Sequence, residues 1–115
     1  MKNAPTPTPL SKLLVSLRTN AGLSTWKLAQ RSGIDRSNIR RIESGVLANL
    51  TPATMQKLAD ALDVEVERFY EAHWLTTGQP LPSLPTYFRT KYRKLTDHQI
   101  AEIQDFVDKL QSENK

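Results

Sequence analysis

The sequence predicts an all-α protein, five short helices around one core followed by a C-terminal helical extension. Three observations predict it. Leucine, isoleucine and other apolar residues recur at the three- and four-residue intervals of a helix face. Gly22, Gly33 and Gly45 fall where three of those faces run out, as helix-ending glycines do. Ser24, Asp35, Thr51 and Thr96 stand where four of them begin, with side chains suited to accept from free helix N–H groups.

Composition bounds the class of protein. A chain of 115 residues, 38% of them hydrophobic, has an ordinary globular make-up and room for one modest core plus an extension. It contains no cysteine, which excludes a disulfide frame, a thiolate zinc site and a thiol nucleophile, and suits a reducing cytosol. No apolar run approaches the roughly 18 residues of a membrane span, and the start lacks a signal-peptide pattern. Charge is uneven. Residues 1–50 carry eight basic and two acidic side chains, a net of +6, whereas residues 51–115 carry eight basic and ten acidic, a net of −2. A basic half joined to a mildly acidic one points to a polyanion as the partner of the first half.

In chain order, residues 1–9, with Pro5, Pro7 and Pro9, are expected to form an extended polyproline-type arm bearing Lys2. A first helix follows, with Leu10, Leu13, Leu14 and Leu17 on one face and Gly22 at its end. Ser24 caps a second, which turns Leu28 and Ala29 inward and stops at Gly33, where a glycine takes the positive φ of a sharp interhelical turn. Asp35 is expected to cap the third helix by accepting from its free N–H groups. After a loop over residues 46–50, Thr51 caps a fourth helix, with Pro52 at its first position and Met55, Leu58, Ala59 and Leu62 as its buried stripe. Residues 64–75 supply a fifth, with Val66, Phe69, Tyr70 and Trp74 as apolar members. The domain therefore spans residues 10–75, and residues 76–86, with three prolines and a glycine, read as a linker. In the extension, residues 87–115, an aromatic and basic run (YFRTKYRK) precedes a final helix opened by a capping box of Thr96 and Gln99.

The third helix carries the residues with chemistry to offer. At about 100° per residue, Ile39 and Ile42 fall together and face the core. Ser37, Arg40, Arg41 and Ser44 cluster on the opposite side, flanked by Arg36 and Asn38. That outer face has long donors and short hydroxyls but no carboxylate, whereas a plain wet face mixes lysine with glutamate. Arginine grips the O6 and N7 of guanine with two hydrogen bonds, and serine and asparagine adapt to either neighbour. The second and third helices with their tight turn thus read as a helix-turn-helix whose second member enters the DNA major groove.

The pattern Leu17-Arg18, Gly22-Leu23-Ser24, Leu28-Ala29, Gly33-Ile34, Ile39, Ile42-Glu43, Gly45 and Leu58-Ala59-Ala61-Leu62 resembles the lambda-repressor and Cro-like helix-turn-helix family, also called the XRE family. The likeness covers residues 10–75. It implies a bacterial or phage-encoded cytoplasmic regulator that binds double-stranded DNA at a pseudopalindromic operator as a two-fold homodimer, usually to repress transcription. Half-sites would lie about one helical turn, ~34 Å, apart. By the same resemblance, Asp35, Arg36, Ser37 and Arg41 occupy positions that commonly meet base edges. Ser24, Thr25 and Ser44 match positions that hold phosphates, and Asn38 and Arg40, on or beside the outer face of the third helix, are read from that face as further DNA contacts. Arg18 and Glu43 match a structural ion pair between the first and third helices. Thr25 departs from the family's usual glutamine, and Trp26 is an unusually bulky neighbour to it.

The final helix lines up Ile100, Ile103, Phe106, Val107 and Leu110 on one side. An amphipathic helix beyond a completed domain must bury that face, by folding back or by pairing with a second chain. Homodimerisation is the reading favoured here, because a Cro-like domain alone presents little self-complementary apolar surface. The other is an antitoxin of the same fold whose tail binds a protein partner. No enzyme, metal or cofactor is expected. His73 and His98 stand alone, without metal spacing, a triad pattern or a glycine-rich phosphate loop, and are read as surface or helix-end residues.

Overall fold

A computed structural model describes residues 7–114, so most of the proline-rich arm, including Lys2, lies outside the described residues. Among the described residues there are seven α-helices and no strand: α1 (Pro9–Asn20), α2 (Thr25–Ser32), α3 (Arg36–Ser44), α4 (Pro52–Leu62), α5 (Glu67–Thr77), α6 (Leu84–Lys91) and α7 (Asp97–Glu113). None is long and apolar enough to cross a membrane. The chain divides into two compact units, Met1–Leu81 and Pro82–Lys115.

In the first unit α1 begins one residue earlier than its leucine pattern suggests. Thr8 and Ser11 cap reciprocally, the Ser11 N–H donating to the Thr8 hydroxyl at 3.0 Å and the Thr8 N–H to Ser11 Oγ at 2.7 Å, and Pro9 fits the first turn, which needs no N–H. The helix packs against α3 and α5, while α2 packs on α3 and α4. Leu10, Leu14, Leu28, Ile39, Ile42, Met55, Leu58, Leu62, Val66 and Phe69 make the core. The fifth helix is displaced toward the C-terminus from its expected span. Asp63, in the left-handed region at φ 56°, ends α4, and Val66 supplies no side-chain cap for α5. At the far end Thr76 and Thr77 donate to the carbonyls of Ala72 and His73, carrying the helix two residues past its last apolar member. Thr76 Oγ1 also accepts from the Leu10 N–H at 3.0 Å, tying the end of α5 to the start of α1.

His73 corrects the expectation of a surface histidine, for it is buried on α5. Its Nε2 accepts from the Leu50 N–H at 3.1 Å, so the ring holds the loop between α3 and α4 through that bond. His98, by contrast, is exposed on α7 with its Nε2 2.9 Å from Glu102.

In the second unit the first five residues of the aromatic and basic run, 87–91, lie in α6, and Tyr92 caps its end. Ser83 caps α6 through the Thr86 N–H, and Pro85 sits in the first turn where proline is tolerated. Tyr87, Phe88 and Tyr92 form an aromatic cluster with centroids 5.5–6.4 Å apart, and Lys91 Nζ stands 5.6 Å above the Tyr87 ring. α7 opens with both bonds of the Thr96–Gln99 capping box and packs on α6, burying Ile100.

Accepting the Leu50 N–H requires His73 Nε2 to be unprotonated, and burial pushes the pKa of the ring below its ordinary value. The unfolded chain therefore binds the proton more readily than the native one, and stability falls as pH drops from about 6.5 toward the lower native value. The melting temperature is expected to decline over that window in the native chain and to decline less in His73→Gln, as thermal denaturation at a series of pH values would measure.

Candidate DNA-binding surface

The helix-turn-helix is built by two glycines and one capping serine. Ser24 Oγ accepts from the Lys27 N–H at 3.0 Å and starts α2. Gly33 ends it at φ 76°, and a Cβ there would meet nothing within 4 Å. It is the backbone angle rather than crowding that calls for glycine at this turn. Gly45, at φ 88°, stops α3 in the same way. Asp35 occupies the N-cap position of α3 but makes no side-chain capping bond. Its carboxylate is exposed at the start of the helix, where the helix dipole favours negative charge.

Burial along α3 follows its two faces. Ile39 and Ile42 are buried, Asn38 and Glu43 are half-buried on either side of them, and Arg36, Ser37, Arg40, Arg41 and Ser44 are exposed. Ser44 Oγ donates to the Arg41 carbonyl at 3.1 Å. The one carboxylate within α3 is turned away from this surface. Arg18 Nε and Nη2 donate to Glu43 Oε2 and Oε1 at 2.6 and 3.0 Å, and Nη1 donates to the Leu23 carbonyl at 2.8 Å. The side chains are only 17% and 12% exposed. The hydrogen bonds to Glu43 raise the Arg18 pKa further above its already high value. A two-pronged, charge-assisted pair of this kind locks the end of α3 onto α1 and onto the loop before α2.

The fold also joins residues that sequence reasoning placed separately. Arg36 Nε donates to Thr25 Oγ1 at 3.1 Å, so the first residue of α3 is held by the first residue of α2. The hydroxyl in the place where glutamine is usual thus has a partner in the free protein. Lys27 and Arg31, on the exposed side of α2, enlarge the cationic area and were not singled out from sequence. Their alternation with the inward Leu28 and Ser32 was the available signal.

An all-helical domain that presents, beyond a glycine turn, a helix whose outward arc bears arginines and no carboxylate has the arrangement of the DNA-binding helix-turn-helix class. The chain belongs to the helix-turn-helix family HTH_3, whose sequence profile matches residues 14–69, and is accordingly a DNA-binding transcriptional regulator. Among solved structures it is similar to the restriction-modification controller protein C.AhdI from Aeromonas hydrophila, with 38% identity and a TM-score of 0.52 over 55% of this chain and 94% of that one. It is also similar to an HTH_3 family transcriptional regulator from Vibrio cholerae, with 27% identity and a TM-score of 0.54 over 65% of this chain. The chain spans 43% of the length of the Vibrio protein. No curated protein sequence matches it.

Removing the guanidinium of Arg18 would leave the Glu43 carboxylate largely buried and the Leu23 carbonyl without its donor. Arg18→Ala is expected to cost on the order of 2–4 kcal/mol, and Glu43→Gln less. Urea denaturation of the two variants would check the ranking.

Proposed function

We propose that the chain binds a pseudopalindromic operator as a two-fold dimer, with α3 in the major groove of each half-site, and represses transcription. The observation that carries this reading is the outward, carboxylate-free arc of Arg36, Ser37, Arg40, Arg41 and Ser44 on a helix whose opposite face is core. Asp35, Arg36, Ser37 and Arg41 are assigned to base edges, and Ser24, Thr25, Asn38, Arg40 and Ser44 to the sugar–phosphate backbone. The likeness to a restriction-modification controller supports a regulatory role. Selection of bound duplexes from random DNA tests it directly, since a symmetric enriched site reports specificity and dimer geometry together. Arg41→Ala is expected to lose about 1–3 kcal/mol on the selected site and less on random DNA. Equal losses on both would reassign Arg41 to a phosphate.

Residues 10–75 are proposed as the DNA-binding domain and residues 87–115 as the dimerising element; of the expected arm, Thr8 and Pro9 cap and open α1, and of the expected linker, Thr76 and Thr77 close α5 while Leu84 opens α6. Ile100 is consumed within the second unit, but Phe106 is 61% exposed and Leu110 lies next to it at helical spacing, with Ile103 and Val107 half-buried alongside. Pairing of this edge with its copy in a second chain removes it from water. Phe106→Glu together with Leu110→Glu is expected to shift the full chain from dimer to monomer in sedimentation and to weaken operator binding. An unchanged dimer would reject this element as the interface. An antitoxin in which the same edge meets a protein partner is the alternative supported by the same exposure.

A further inference from the structure

Trp26 has no role in the reading so far, yet it is 54% exposed as the second residue of α2. Its surroundings define what fits against it. The adjoining Thr25 is bonded to Arg36 of α3, so whatever contacts Arg36 comes up against the first turn of α2. Lys27 and Arg31 on the same helix and Arg36 at the start of α3 are exposed, and α2 contains no carboxylate. A second copy of this surface would be repelled by its own charge, whereas a polyanion is drawn to it. The indole itself has an apolar face and one N–H that only donates, which matches the apolar deoxyribose and the acceptor-only phosphate of a DNA backbone.

We propose that Trp26 is a backbone-contacting residue of the DNA surface, its ring lying against a deoxyribose and its Nε1–H donating to the neighbouring phosphate. The inference rests on the placement of α3 in the major groove. It adds an aromatic clamp at the edge of the footprint that sets affinity and register without reading sequence.

The test uses the full chain carrying Trp74→Phe, which leaves Trp26 as its only tryptophan; Trp74 is an exposed residue of α5 outside this surface. A duplex enriched by site selection and carrying a fluorescent end label is added, while labelled-DNA anisotropy reports binding and indole emission reports Trp26. Emission is expected to change, and acrylamide quenching to fall, in step with binding. In the otherwise native chain Trp26→Ala is expected to weaken binding on the order of tenfold, as for re-exposed apolar surface, on selected and random duplexes alike. Trp26→Phe should recover part of that loss. Anisotropy that rises while emission and quenching stay constant overturns the Trp26 contact and leaves the groove reading standing. Emission that tracks protein concentration without duplex assigns the indole to a second chain and overturns the contact as well. A chain that retains no duplex at low salt fails the groove reading, and this inference falls with it.

Discussion

The bridge from Arg18 to Glu43 is the constraint on which the DNA-facing surface depends. α3 contains one acid, and an acid on its outer arc would oppose a phosphate backbone. Two hydrogen bonds from one guanidinium fix that carboxylate on the inner side, while the third bond, to the Leu23 carbonyl, sets the loop from which α2 starts. One partly buried ion pair thus orients both members of the helix-turn-helix and leaves the outer charge of α3 cationic. Its value is geometric as much as energetic, since burying such a pair costs desolvation that only good hydrogen bonding offsets.

The same surface is organised by a weaker contact at its other end. Arg36 is held by Thr25 rather than left to sample solvent, so the first residue of α3 meets a duplex with part of its rotamer freedom already restricted. The two ends of α3 are therefore anchored by different chemistry. A charged, half-buried clamp holds the C-terminal end to α1, and an exposed neutral hydroxyl steadies the N-terminal arginine, which remains able to reorient toward a base edge.

The loop after α3 is governed from behind. A buried backbone polar group needs a partner, and the N–H of Leu50, the buried residue of this loop, finds one in the His73 ring. That choice requires a neutral imidazole, which burial also favours. A position that reads as an idle histidine is thus a support for the segment between α3 and α4.

What local chemistry dictates was legible in the residues themselves. Apolar spacing, the capping hydroxyls and the left-handed glycines depend on neighbours within one helical turn, so the helices of the first unit, the inward pair Ile39 and Ile42, and the bare arginine arc follow from pattern alone. The start of α5 and the helical state of residues 84–91 were less legible. The first depends on Asp63 adopting a positive φ, and the second is masked by a proline that a first helical turn accepts. Contacts between residues far apart in the chain belonged to the tertiary fold alone. The bond between Thr25 and Arg36 and the burial of His73 arise from how helices meet, and no spacing within a single helix encodes the distance between two of them.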